Sequence, residues 1–421
     1  MAIAITLALC ACSGGNSKQP TTTGTSPAPG AAIEPTQIPA ATATADPLAS
    51  TAADARHVFD DIRKLSVDIG PRVAGTPTEM QAATYLRDEL VSYGYDVSIQ
   101  DFAFDASAFR PSRLDNGANS IGGYAFRGSG EGTVTGVLVN AGTGRPEEFP
   151  AGGARGGIAL MERGGLTFTE KTQNAVAAGA SAVIIYNNAA GSLTGQIDPV
   201  SIPVVGVSAD AGGSLAAGTT VTVTVPPAAL TGHNVVAKPK GAGDCTSVTG
   251  GHYDSVPATG GADDNASGAA SVVEVARVAA ANHLTGANCF ILFSGEEFGL
   301  FGSKAFINTL SPDQVNKLRL MLNLDVVGIS GALGLIGDAD LVDTARLQAQ
   351  KLNLTAEPSQ LPQGAGSDHL SFRNAGIPVL MLSIEDNLIH TQRDAIDRID
   401  MKTLDATVRL AYATLATLAT G

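Results

Sequence analysis

The chain has 421 residues, 44% of them apolar, and a formal net charge of −14. That length exceeds one ordinary domain, and the apolar share is enough to fill substantial cores. The acidic balance, with no block of Lys and Arg, argues against nucleic-acid or other polyanion binding.

The chain opens on the apolar run MAIAITLALCAC, residues 1–12. It is too short to span a hydrocarbon layer of about 30 Å, but it suits the apolar part of a secretion signal. Its end resembles the lipobox of bacterial lipoproteins, with a small residue before the modified cysteine. Cys12 is the expected lipid carrier, because Cys10 follows the bulkier Leu9. Residues 13–50 are rich in Thr, Ala, Pro, Gly and Ser and nearly free of large apolar side chains, as in a disordered tether that cannot bury a core. The expectation is an exported protein of the cell envelope, periplasmic or extracellular, that touches the membrane only through an N-terminal lipid.

Residues 51–118 read as a first part of a domain, with a helix over AATYLRDELVSYG followed by the alternating strand DVSIQDFAF. Residues 119–228 read as an insert of short strands, TVTGVLVN, GGIALMERG, SAVIIYNN, IPVVGVS and TTVTVTV, around the helix TFTEKTQNAVAAG. Residues 229–421 resume the interrupted domain at HNVVAKP and alternate strands with helices such as SGAASVVEVARVAAANH and DTARLQAQKL. Such alternation predicts an α/β fold, a mainly parallel sheet sandwiched by helices. The small residues Gly268, Ala269 and Ala270 let one of these helices approach the sheet closely.

The chemistry-bearing residues recur at the ends of strand-like runs. His252 and Asp254 stand in GGHYD, Asp264 in GADDNASG, Glu296 and Glu297 after CFILFSG, Asp325 after LMLNL, and His390 in IHTQRD. In an open α/β sheet the carboxyl ends of parallel strands share one edge, so separate segments converge there. Two divalent ions about 3.5–4 Å apart need a bridging carboxylate and roughly two further N or O ligands each. His252, Asp264, Glu297, Asp325 and His390 supply that number. With no thiolate among them the set suits two Zn2+, and Co2+ or Mn2+ would also be accepted. Cys245 and Cys289 each lie seven residues before a motif residue, His252 and Glu296. Parallel neighbouring strands would start with the two thiols side by side, so an exported chain is expected to join them as a disulfide.

These motifs, with the opening GPRVAGTPTEMQAATYLRDELVSYGYDV, LFSGEEFGLFGSKAF, NLDVVG and GSDHLSF, resemble the M28 metallopeptidases of the aminopeptidase S and Vibrio leucyl aminopeptidase type. Segment 119–228 resembles their protease-associated (PA) insert, a β-rich domain viewed in such proteases as shaping substrate access or partner contact. The resemblance implies a zinc-peptidase fold and hydrolysis of N-terminal peptide bonds. It makes Asp264 the bridging ligand, joined by His252 and Asp325 on one zinc and by Glu297 and His390 on the other, with Asp263 a neighbour and no ligand. Glu296 becomes the general base that takes a proton from a metal-bridging water, and Asp254 the carboxylate that orients His252. One departure is Ile389, where parts of the family place a tyrosine that stabilises the tetrahedral intermediate.

Other residues read more plainly. His369 in GSDH is expected near the cleft, whereas His57, His233 and His283 are expected to have no catalytic role, and Glu162 and Arg163 are expected at a turn or interface. The expected substrates are peptide or protein N-termini, whose ammonium Glu296 and Asp325 could hold, and the expected state is a monomer. Arg373 and Arg393 keep an M28-type carboxypeptidase open as an alternative. A single-zinc glutaminyl cyclase and a non-catalytic binding ectodomain stand further off, since every ligand position is filled.

Overall fold

The computed structural model describes residues 51–117, 119–189 and 191–419. The expected signal, tether and lipid-bearing Cys12 lie outside the described residues. Within them, no helix is long and apolar enough to cross a membrane.

In chain order the strands are β1 (Asp96–Asp105), β2 (Pro111–Asp115), β3 (Ser120–Ala125), β4 (Gly132–Asn140), β5 (Ile158–Glu162), β6 (Ala182–Tyr186), β7 (Val204–Val207), β8 (Thr220–Val225), β9 (Ala229–Lys238), β10 (Ser247–His252), β11 (Asn288–Phe293), β12 (Met321–Leu324), β13 (Leu333–Gly337), β14 (Ala356–Pro358) and β15 (Val379–Ser383). Eight of them form one sheet in the order β1-β9-β11-β10-β12-β15-β13-β14, and β2 to β8 close a barrel. The central strands β11, β10, β12 and β15 run parallel. β9 and β13 flank them antiparallel.

Why the centre is parallel is visible in its residues. β10, β11 and β12 are buried along their whole length, as strands covered on both faces must be. Side chains alternate across the pleat. Phe290, Leu292, Leu322 and Leu380 meet the helices Pro77–Ser92, Gly268–Ala281 and Met401–Ala419 on one face. Ile291, Phe293, Met321 and Val379 meet Phe306 and Phe372 on the other. The first of these helices starts at a sequence-coded cap, with Thr76 accepting the Glu79 N–H and Pro77 in the first turn.

β1 and β9 pair antiparallel from Asp96↔Lys238 to Asp105↔Ala229, so the chain leaves and re-enters the large sheet at one point. Everything between them is the insert. Its first strand, β2, lies earlier than residue 119. The strand Pro111–Asp115, assigned from sequence to the first part of the large domain, pairs with β3 and β8 inside the barrel. Its composition, PSRLD, carries little alternation, and only the need of β3 and β8 for a closing partner defines it.

The Cα atoms of Cys245 and Cys289 are 5.7 Å apart and their sulfurs are bonded, at the start of the β10–β11 pair, where Val248 is in register with Cys289. Closing a loop with a sequence separation of 44 stabilises a fold by about 2–4 kcal/mol in the chain-entropy account. Alkylation followed by mass measurement should find these two thiols protected in the native chain and reactive only after reduction.

Helix Gly268–Ala281 runs so close to β12 that a Cβ on Gly268 would overlap the Leu324 carbonyl oxygen. Gly268→Ala should therefore cost about 1–3 kcal/mol, read as a lower midpoint in urea denaturation.

Candidate metal centre

Four neighbouring parallel strands deliver the site to one edge of the sheet. β10 ends at His252, β11 is followed by Glu296 and Glu297, β12 by Asp325, and β15 leads into the loop that carries His390. Asp264 comes from the turn Ala262–Ser267, just ahead of helix Gly268–Ala281.

The five side chains converge. His252 Nε2 lies 3.2 Å from Asp264 Oδ1 and 3.3 Å from Asp325 Oδ1. His390 Nε2 lies 3.0 Å from both Asp264 Oδ2 and Glu297 Oε2. Asp264 thus turns one oxygen to each imidazole. Two triads result, His252–Asp264–Asp325 and Asp264–Glu297–His390, each with its donor atoms within 4.8 Å of one another. Glu296 Oε2 stands 3.9 Å from His252 Nε2, in neither triad. Asp263 is turned away, accepting the Gly328 N–H at 2.7 Å.

The donor set fits cations. His252, Asp264 and Asp325 are buried, and Asp325 Oδ1 and Glu297 Oε1 make no hydrogen bond although both are shut off from solvent. Buried carboxylate oxygens without donors are what a divalent ion would satisfy. The carboxylates also act on the rings. Glu297 foremost, with Asp264, pushes His390 up to about 12. His252 is raised as well, Asp325 and Glu296 outweighing its burial. Asp264 is held below its usual range despite burial, because both imidazoles bond to it. Glu296 is raised, by burial first and by Glu297 and Asp325 after it. Protons on the two rings therefore occupy the places that metal ions would take.

Asp254 serves in a way the sequence did not specify. Its backbone oxygen is the nearer partner of His252 Nδ1, at 3.2 Å, with its Oδ1 at 3.5 Å. The same Oδ1 accepts the Glu296 N–H at 3.3 Å, joining the general-base candidate to the imidazole's support. With Nδ1 donating toward Asp254, loss of the Nε2 proton would turn that nitrogen's lone pair to the site.

Three supports escaped the sequence reading. Asp394, the last residue of IHTQRD, accepts the backbone N–H groups of Asp263 and Asp264 at 2.7 and 3.1 Å and so fixes the bridging candidate's turn. Arg72 and Glu79, in the opening motif, are fully buried beneath the site. His369 is buried at the start of its helix, lowered to about 4 by burial, and joins neither triad. His57 and His233 pair with Glu274 and Glu79, which accounts for them without catalysis. Arg373 and Arg393 are exposed.

Comparison with known proteins agrees with this geometry. Residues 234–415 match the model of peptidase family M28, and residues 134–215 match that of the PA domain. The aminopeptidase YwaD of Bacillus subtilis is 36% identical over 349 residues, 77% of this chain and 74% of that protein. The probable lipoprotein aminopeptidase LpqL of Mycobacterium tuberculosis is 31% identical over 275 residues, 61% of this chain and 55% of that protein. The solved structure of a zinc aminopeptidase from Bacillus subtilis superposes with a TM-score of 0.62 at 30% identity, covering 88% of this chain and 96% of that one. Catalytic-edge geometry, family match and overall similarity together make the chain a peptidase of family M28, with a PA domain set between two strands of its main sheet.

Proposed function

We propose that this peptidase is an exported, lipid-anchored aminopeptidase that holds two zinc ions and removes N-terminal residues from peptides. One observation carries the reading: Asp264 faces His252 with one carboxylate oxygen and His390 with the other. A single-ion centre has no use for that arrangement.

His252 and Asp325 with Asp264 Oδ1 would hold one ion, and Glu297 and His390 with Asp264 Oδ2 the other. When bound, the pair supplies Lewis acidity that polarises the scissile carbonyl, makes a water acidic and stabilises the developing oxyanion. Ile389 offers no hydroxyl for that last task. Glu296, whose carboxyl burial raises above the usual carboxylate range, takes the water's proton and passes it to the leaving amine. Its carboxylate and that of Asp325 also suit a substrate's free α-ammonium. A carboxypeptidase would need a cation to grip the terminal carboxylate, and both arginines considered for that are exposed. The mycobacterial relative's name, a lipoprotein aminopeptidase, supports the anchor at Cys12. The five donors are nitrogen and oxygen, which favours zinc and leaves Co2+ or Mn2+ as functional substitutes.

Aminoacyl chromogenic substrates and N-blocked peptides, given to wild type, chelated protein and Glu296→Gln, test the reading. Release is expected from free N-termini only, lost on chelation, and about a thousandfold slower in the variant, which keeps its metal. Cleavage of N-blocked peptides at an equal rate would point to an endopeptidase or carboxypeptidase instead.

Metal analysis gives an independent check. Wild type should carry two zinc ions per chain, His390→Ala one, and Asp264→Ala neither at stoichiometric affinity. Because the ions displace ring protons, uptake should release protons, and affinity should fall as the pH is lowered, measurable by calorimetry in buffers of different ionisation enthalpy. One ion in the wild type would favour the cyclase reading, and none a binding protein.

A further inference from the structure

The opening motif, residues 70–79, lies outside the five-ligand set, yet its two charged side chains are completely buried. We infer that Arg72 and Glu79 are positioning residues that grip Tyr253 by its two ends and thereby set the zinc affinity of the His252 half of the site. The inference rests on the two-zinc reading and deepens it.

Tyr253 is the residue between His252 and Asp254, and it is fully buried. Along extended backbone successive side chains point to opposite sides, so His252 and Asp254 face the site while Tyr253 points away from it. Fixing Tyr253 therefore fixes both neighbours. Its carbonyl accepts a hydrogen bond from Arg72 Nε at 2.6 Å. Its hydroxyl lies 2.5 Å from Glu79 Oε1 and from the His233 carbonyl. Glu79 is itself held by His233, whose Nδ1 lies 2.7 Å from Oε2 and whose backbone N–H reaches Oε1 at 3.1 Å.

Arg72 does more than hold one carbonyl. Nη1 also donates to the carbonyls of Leu65, Gly70 and Gly260, and Nη2 to that of Gly261. All these contacts end on backbone carbonyls. Its own backbone exchanges bonds with Ser255, N–H to Oγ at 3.1 Å and carbonyl to N–H at 3.3 Å. The stretch from 253 to 261, which spans the gap between the ligands His252 and Asp264, is thus fastened at 253, 255, 260 and 261. Only arginine offers five donors in a planar fork, whereas lysine has three on a point charge. Burial lowers Arg72 only to about 10, so it stays a cation, and Asp254, Asp394, Asp264 and Glu297 around it favour that form.

Partners that orient metal-binding histidines are worth about 10–100-fold in metal affinity. The test is zinc competition against a chromogenic chelator on the full chain, with Arg72→Lys and Tyr253→Phe made in wild type and in a His390→Ala background. In wild type one of two binding steps should weaken about 10–100-fold and the other stay within about twofold. In the His390→Ala background the single remaining step should weaken by the same factor, which assigns the loss to the His252 half. Far-UV circular dichroism and the thermal midpoint control for folding. Should Arg72→Lys fail to fold, Tyr253→Phe decides, since it removes one oxygen and keeps the ring. Unchanged affinities at both steps in folded Tyr253→Phe would overturn the inference while leaving the two-zinc reading intact, and a wild type that takes up no zinc would overturn both.

Discussion

Like charge crowded at the edge of a dry sheet is the constraint that the rest of this structure answers. Asp254, Asp264, Glu296, Glu297 and Asp325 stand within reach of two imidazoles, and Asp254 Oδ2, Glu297 Oε1 and Asp325 Oδ1 are shut off from water with no hydrogen-bond partner. Buried carboxylates are tolerated only when paired, hydrogen-bonded, protonated or bound to a cation. Each of the first three devices operates here. His252 and His390 are raised and pair with Asp264, Asp254 takes the Glu296 N–H, and Glu296 and Glu297 are themselves raised by burial. The fourth follows from chemistry. A centre whose two rings and two of whose carboxyls are pushed toward holding protons is one from which divalent ions would expel them.

The backbone bears a cost for this crowding. Val326, directly after Asp325, has φ +55°, and His390 has φ +60°. A β-branched residue in left-handed backbone is unfavourable by about 1–3 kcal/mol, and it persists only where surrounding contacts over-determine it. Those contacts are present. Val326 donates its N–H to Asn265 Oδ1 and accepts one from Ile384, tying the Asp325 turn both to the Asp264 turn and to the strand that leads toward His390. Strain beside one candidate ligand is thus balanced by bonds to the segments carrying two others.

How much of this could be read from the chain follows from which contacts are local. The ligand candidates were legible because the code for a parallel strand, a continuous apolar run, ends abruptly in a charged residue, and because the α/β topology then brings those ends to one edge. The nearness of Cys245 and Cys289 was legible from the parallel pairing, although the register sets Val248, three residues after Cys245, beside Cys289. What escaped depends on pairing across long separations. Arg72 meets Tyr253 from 181 residues away, Asp394 meets Asp263 from 131, and β2 is a strand only because β3 and β8 need it. Nothing near Arg72 in sequence announces five carbonyl partners. A charged residue set among Pro, Val, Ala and Gly, where a solvated side chain would have no reason to be followed by small apolar residues, was the available hint.

The insert is compatible with this rigid edge because of where it is spliced. The ten-pair ladder between β1 and β9 holds its two ends together, so the large sheet closes whether or not a barrel intervenes. The barrel then packs back on the same stretch that Arg72 fastens from below. A Cβ on Gly122 would overlap the Pro257 carbonyl, so no side chain fits there. Two residues on along β3, and so on the same side of the strand, Tyr124 packs edge-on against Phe298, the residue after Glu297. Phe298 in turn packs, tilted, against Phe104 of β1, at the splice itself. Barrel, splice and catalytic edge therefore share one aromatic cluster. Displacing the barrel would have to disturb the segment 253–261 and the turn after β11 together, which ties the insert's placement to the two segments that hold His252 and Glu297 in position.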